Sequence, residues 1–232
     1  MRYIIKARPK GAFMNDLNTI NGFLNEMCEF ISHQEFDLCT DSDDGRVNSS
    51  IDEDIVLDML VKKYAEYIYK MPPRSWCDFK HIPTGEPINF KSTSMQSSDN
   101  SCNYLSILHC FSDLDIPDSR KANKTKDKKE WFQWLRENHQ KLSDENFDNY
   151  RDYWFLVVNK NDNSKVLYSS IKQLNVLSVN PSNPPFQVNW SQNTNIVVRT
   201  FREAFDFVSK TIKETIQKQH ENLQYDEAME IL

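Results

Sequence analysis

A chain of 232 residues with 39% hydrophobic and 12% aromatic side chains is no disordered polymer and can bury a proper core, as one domain or as a catalytic domain with a helical appendage. A formal net charge of −6 and a sequence pI near 5.4 argue against a protein that coats nucleic acid, but leave room for a basic cleft on an acidic exterior. Five cysteines without a C-x-x-C pair and five scattered histidines argue against structural zinc, and no apolar run suits a signal peptide or a membrane span, so a cytoplasmic protein with reduced thiols is expected.

In chain order, Leu17, Ile20, Leu24, Met27 and Ile31 recur at three- and four-residue steps and predict an amphipathic helix over Asn15–Ile31. Cys39–Asn48 is polar and acidic and reads as a loop. A second helix is expected from near Ser50 to Pro72-Pro73, which cannot continue it. Asp78–Lys91 reads as two short strands around a Pro83-Thr84-Gly85-Glu86 turn, followed by a loop at Ser97–Ser101. Tyr104, Leu105, Ile107, Leu108 and Phe111 predict a short buried helix. Arg120–Lys129 is strongly basic and leads into a helix carrying Trp131, Trp134 and Leu135; it reads as a solvated lead-in or as an arm that contacts phosphate. Strands are expected at Tyr153–Val158 and Val166–Tyr168, around Asn161-Asp162-Asn163, and at Phe186–Trp190 and Ile196–Arg199 after the loop Asn180–Pro185. The last helix opens on a capping box, Thr200-x-x-Glu203, and buries Phe205, Val208, Ile212 and Ile216. The order predicts an α/β (α+β) fold with a mixed sheet flanked by helices.

The Asp78–Lys91 segment carries the chemistry. Side chains alternate across a strand, so Asn89 and Lys91 share one face and a paired strand brings Asp78 beside them. Phosphodiester hydrolysis needs such a cluster: oxygen ligands for Mg²⁺ and a cation near the phosphate or the attacking water. The competing reading is a surface hairpin in which Asp78 and Lys91 form a solvated pair.

Four segments together resemble type II restriction endonucleases of the PD-(D/E)xK superfamily. They are Gly45-Arg46-Val47-Asn48 before an acidic helix start, Trp76-Cys77-Asp78 with Pro87-Ile88-Asn89-Phe90-Lys91, Ser97-Ser98-Asp99-Asn100, and Asn180-Pro181 through Phe186–Trp190 with Arg199–Glu203. The resemblance spans roughly residues 45 to 215 and implies a restriction-endonuclease-like nuclease domain over the whole chain: an N-terminal helical segment 1–44, a catalytic core 45–199 and a C-terminal helix 200–232. It makes Asp78 a metal ligand and Lys91 the catalytic lysine, with the Phe90 backbone carbonyl as a further ligand. Cys77 stands where the motif has proline, a position that supplies no ligand. Asn89 stands where a second Asp or Glu is usual; an amide oxygen still coordinates Mg²⁺ but brings no charge, so Mg²⁺ affinity should fall and Mn²⁺ should substitute. Glu53, from the first core helix, is the acid best placed to replace that charge, unless Ser50-x-x-Glu53 is a capping box. Asp52 is a lesser candidate.

Gln187 and Asn189 share a strand face and both amide types pair with adenine in the major groove, although the same residues also suit tying down the loop before them. Arg199 suits phosphate or guanine. Ser97, Ser98 and Asn100 suit sugar-phosphate contact, and Asp99 either serves the site or closes an Asx turn. The expectation is a Mg²⁺-dependent homodimer that cuts both strands of a short palindromic double-stranded DNA site to 5′-phosphate ends, with a cognate DNA methyltransferase as genetic partner. Asn89 keeps an alternative open, a sequence-specific DNA-binding protein that has lost cleavage.

Overall fold

The computed structural model describes residues 16–34, 45–73, 75–96, 98–100, 102–113, 115–116, 118, 151–162 and 164–231, with helical positions at 129, 132–133 and 136–137; the side chains of 45–52 and 223–231 lie outside the description. The expected features at Arg120–Lys128, Trp131, Trp134 and Leu135, and most of the Cys39–Asn48 loop, fall outside the described residues. The chain divides into two units: Met1–Pro73 with Cys77–Met95 and Trp154–Ser169, and Arg74–Trp76 with Gln96–Tyr153 and Ser170–Leu232.

In the first unit, α1 spans Ile20–Ser32. It starts later than its apolar spacing suggests because Asp16–Thr19 form a turn, closed by Thr19 N–H on the Asp16 carbonyl, and Thr19 Oγ1 then caps the Gly22 amide at 3.2 Å. A Cβ on Gly22 would lie 2.1 Å from the Asp16 carbonyl oxygen, so this close approach requires glycine. Helix α2 runs Gly45–Lys63. It therefore begins before Ser50, taking in residues expected in a loop, and ends well before Pro72. The Tyr64 amide closes its last turn on the Leu60 carbonyl at 2.8 Å. Strand β1, Ile68–Lys70, follows where helix was expected. Three residues carry no usable periodicity; the strand exists because β2 offers a ladder, with Ile68 opposite His81 and Lys70 opposite Phe79.

The expected hairpin forms from β2 (Phe79–His81) and β3 (Pro87–Thr93), paired antiparallel, with Gly85 at a φ of 72° in its turn. Strand β3 also pairs in parallel with β5 (Trp154–Asn159), from Ile88 opposite Trp154 to Thr93 opposite Asn159. With β6 (Val166–Ser170) the order is β1-β2-β3-β5-β6, a five-stranded mixed sheet. Parallel neighbours need a long crossover, and the chain leaves this unit after β3 to return at Trp154. Alternation decides what β3 buries. Ile88 and Phe90 join Trp154, Leu156 and Val158 against Phe23, Leu24 and Met27 of α1 and Val56 and Leu60 of α2, while Asn89 and Lys91 take the other face of the strand.

In the second unit, β4 (Ser98–Asn100) pairs antiparallel with β7 (Gln187–Asn189) as a two-stranded ribbon, so residues expected in a loop are strand. Helix α3, Tyr104–Phe111, is buried along its whole length and capped by Asn103, whose Oδ1 accepts from the Leu105 and Ser106 amides at 3.0 and 3.2 Å. Short 3₁₀ turns occupy Ile171–Gln173 and Trp190–Gln192. No strand forms at Ile196–Arg199. Its β-branched residues find no neighbouring ladder beyond one bond from Val197 N–H to the Gln173 carbonyl, and Val198 stays 90% exposed. Helix α4, Phe201–Ile231, buries Ala204, Val208 and Ile212. Its capping box forms as expected: Thr200 N–H donates to Glu203 Oε2 at 2.8 Å, and Glu203 N–H to Thr200 Oγ1 at 3.3 Å. Among the described residues no helix is long and apolar enough to cross a membrane.

Candidate active site

Strand β3 has β5 on one side, but β2 pairs with it only as far as Ile88. Beyond that point no described strand pairs with the β2-side edge. Successive residues of a strand direct their backbone groups to alternate sides. Thr93 accepts from Lys160 just past β5, which places Asn89, Lys91 and Thr93 toward β5 and Ile88, Phe90 and Ser92 toward the open edge.

Two carboxylates occupy that edge. Asp78 Oδ2 accepts from the Phe90 amide at 2.7 Å, and Glu53 Oε1 accepts from the Ser92 amide at 3.3 Å. A residue's N–H and C=O leave a strand on the same side, so the Phe90 carbonyl lies on the same edge, between these two amides. Amides two residues apart on a strand are about 6–7 Å apart. Asp78, Phe90 and Glu53 therefore supply oxygen atoms along one short length of β3.

Lys91 and Asn89 complete the cluster. Lys91 Nζ lies 3.8 Å from Glu53 Oε1, with the two side chains 21% and 29% exposed. Extending the β2–β3 ladder one step past Phe79–Ile88 puts Asp78 opposite Asn89. Asn89 Oδ1 is shielded from solvent and accepts no hydrogen bond from any described residue. An unmet buried acceptor costs about 1–3 kcal/mol, a cost that a donor or a cation would relieve.

Electrostatics agree with that picture. Burial raises the Asp78 carboxyl above the usual range, with the Lys91 ammonium and the Phe90 N–H opposing and Asp54 adding to the rise. Glu53 is also raised, first by burial and further by Asp78, against Lys91 and the Ser92 N–H. Two partly desolvated acids beside one another favour a bound positive charge. The donor set of two carboxylates, one carbonyl and one amide oxygen suits a hard cation such as Mg²⁺ or Mn²⁺. No three His, Cys, Asp or Glu side chains gather as a metal-holding group among the described residues, so such an ion would depend on neutral oxygens as well.

The fold thus brings Asp78, Glu53, Asn89, Phe90 and Lys91 together in the first unit. The capping-box alternative for Glu53 falls, because α2 runs through Ser50 and the Glu53 carboxylate is spent on β3. The side chain of Asp52 lies outside the described residues.

The expected DNA-contacting residues lie in the second unit. Ser97 is outside the described residues. Ser98 pairs with Asn189 and Asn100 with Gln187 across the ribbon, which gathers four polar side chains on one face. Asp99 sits opposite the buried Val188 on the other face. Asn189 caps the following turn, its Oδ1 accepting from Ser191 N–H at 3.1 Å and Ser191 Oγ at 2.6 Å. Arg199 Nη1 donates to the carbonyls of Lys172 and Leu174 at 3.2 and 2.8 Å, and its guanidinium lies 4.0 Å from the Phe207 ring centre. Asn180 is the residue sequence reasoning passed over. It is 7% exposed and ties the Pro-rich loop to Asn100 through a 2.7 Å bond. The Asn-Pro-Ser-Asn spacing, which favours an Asx turn, was the available signal.

No family model matches the chain, and no similar curated protein or solved structure was found.

Proposed function

We propose that this chain is a Mg²⁺-dependent, cytoplasmic type II restriction endonuclease with a restriction-endonuclease-like core. On this reading it acts as a homodimer on a short palindromic double-stranded DNA site, beside a methyltransferase of matching specificity. One observation carries the reading: the carboxylates of Asp78 and Glu53 hold successive outward amides of β3 immediately beside Lys91.

Asp78, Glu53, the Phe90 carbonyl and Asn89 Oδ1 would hold the cation, which when bound lowers the pKa of water and neutralises charge on the phosphate. Glu53 holds the Lys91 ammonium at 3.8 Å, and the Asp78 charge attracts it as well. That ammonium then stabilises the extra negative charge of the pentavalent transition state or orients the attacking water. Water oxygen bonds to phosphorus as the bond to the 3′ oxygen breaks, leaving a 5′-phosphate and, after protonation, a 3′-hydroxyl. Asn89 contributes oxygen without charge, and this favours a high Mg²⁺ requirement with rescue by Mn²⁺.

The same asparagine favours a second reading, a sequence-specific DNA-binding protein that no longer cuts. Incubating plasmid or phage DNA with the protein in Mg²⁺ and in Mn²⁺, beside Lys91→Ala, separates the two. Discrete fragments that disappear with Lys91→Ala are expected. Intact DNA in both metals, with specific duplex binding in Ca²⁺, would select the second reading.

A further inference from the structure

We propose that Gln187 reads an adenine in the major groove, and that Asn180 and Asn100 fix which end of its amide is offered to the base. The inference rests on the duplex-binding reading above and adds to it the base recognised and the device that sets it.

One donor in this cluster is unambiguous, a backbone N–H. The backbone N–H of Asn183 donates to one side-chain atom of Asn180 at 3.1 Å, so that atom is Oδ1. The other end of Asn180 is then Nδ2, which donates to the Asn183 carbonyl at 2.9 Å and to Asn100 at 2.7 Å. The Asn100 atom receiving that bond must be Oδ1. Gln187 approaches the same Oδ1 at 3.3 Å, so its contacting atom must be Nε2. The relay therefore fixes the orientation of all three amides. At its base the backbone N–H of Asn180 donates to Oγ1 of Thr215, a fully buried residue of α4, at 3.3 Å.

Two ends remain uncommitted among the described residues, the carbonyl oxygen of Gln187 and the amino group of Asn100. They lie side by side, because Asn100 and Gln187 are register partners across β4 and β7 with Cβ atoms about 5 Å apart. An acceptor beside a donor complements adenine, which presents the N6 amino group and N7. It opposes guanine, whose O6 and N7 are both acceptors. A two-stranded ribbon is one of the elements that enters the major groove, and this one buries Val188 beneath while its polar face carries Asn100 and Gln187. Asn189 lies on the same face but spends its oxygen on Ser191 and its amino group on the Gln96 carbonyl at 3.5 Å. Gln187, and not Asn189, is thus the reading residue on β7, with the Asn100 amino group as the donor beside it and Asn180 as the positioning residue.

The test is selection from a duplex library with randomised positions, by cleavage in Mn²⁺ and by capture in Ca²⁺, scoring base ratios within each variant's own selected pool. The full chain is used as wild type, Gln187→Glu, Asn100→Ala and Asn180→Asp. Wild type should enrich adenine over guanine at one position of each half-site. Gln187→Glu, an acceptor at both ends, should move that position toward cytosine. Asn180→Asp can only accept, so Asn100 turns its amino group inward and the ratio of adenine to guanine should fall by roughly 10-fold or more. Asn100→Ala, an exposed change, should do the same should Asn180→Asp fold poorly. A defined site whose base ratios are unchanged in Gln187→Glu and Asn100→Ala would overturn the inference and leave the nuclease reading standing. A wild type that neither cuts nor binds any duplex would overturn both.

Discussion

Asp78 and Glu53 grip one strand at adjacent outward positions: the first accepts from Phe90 N–H at 2.7 Å and the second from Ser92 N–H at 3.3 Å. Each carboxylate substitutes for a strand neighbour that β2 does not supply. The open edge of β3 is thus closed by charge, at a place where the Phe90 carbonyl also emerges.

Asp78→Asn should raise the stability of the metal-free protein while abolishing cleavage. Burial raises the Asp78 carboxyl on folding. A group raised in this way stabilises the fold below its unfolded pKa of about 4, and that contribution is lost as pH climbs through the higher folded value. Burial therefore makes the ionised carboxylate unfavourable in the fold. Asparagine keeps an acceptor for the Phe90 amide without the charge. Melting in EDTA at pH 7 should rise by about 2–4 °C for roughly 1 kcal/mol; an unchanged or lower midpoint would mean that Lys91 fully offsets the burial.

Glu53→Gln should lower the cleavage rate on the order of 100-fold, as loss of a charged group at the reacting centre does. Ser50→Ala should stay within about 0.5 kcal/mol of wild type in urea, because α2 passes through residue 50 and makes no cap there. Loss of about 1 kcal/mol or more in Ser50→Ala, with Glu53→Gln fully active, would restore the capping role.

Asn89→Asp should shift the Mg²⁺ dependence of cleavage to lower concentration by roughly 10-fold, since it places a charge at the shielded Oδ1 position that no described residue bonds. Calorimetric titration with Ca²⁺ or Mg²⁺ gives a readout independent of turnover. Equal midpoints for wild type and variant in both assays would place Asn89 outside the ligand set.

His81 predicts an acid-side loss of stability. Its Nε2–H donates to the Leu17 carbonyl at 2.8 Å, which leaves Nδ1 to accept from Thr84 Oγ1 at 2.8 Å, and the ring stacks on Phe23 with centroids 4.5 Å apart. Burial lowers its pKa, with the Leu17 carbonyl opposing. The neutral ring's contribution is therefore complete above the unfolded value of about 6.5 and is lost as pH falls through the lower folded value. Urea unfolding of wild type against His81→Gln, compared from pH 7.5 to pH 5, should show the two curves converge as pH drops. Parallel curves would mean that His81 does not titrate in that window.

Arg199→Ala should cost stability, by roughly 1–3 kcal/mol, because its guanidinium bonds two carbonyls and lies on the Phe207 ring. Duplex affinity measured well below the melting temperature should change less than about 3-fold, well under the ~10-fold that 1.4 kcal/mol of lost contact would give. A larger fall in affinity with an unchanged melting midpoint would return Arg199 to the DNA-contacting set.

The sequence by itself determined the locally encoded features. The Gly85 turn and its two strands, the Thr200–Glu203 box, helix α3 and the shared face of Asn89 and Lys91 follow from periodicity and capping, which act within a few residues. Tertiary structure decided what depends on partners distant in the chain. Strand β1 exists because β2 lies beside it, whereas Ile196–Arg199, richer in β-formers, has no ladder and forms none. The capping role of Glu53 could not be judged from its spacing to Ser50, since a cap and a site ligand share one local pattern; α2 running through Ser50 and the bond to Ser92 N–H speak against the cap. Asn189 and Gln187 look equivalent on a two-residue period, yet one is consumed by its own turn and the other is held by Asn100. Hydrogen-bond competition between neighbours in space, which no one-dimensional pattern records, makes that distinction.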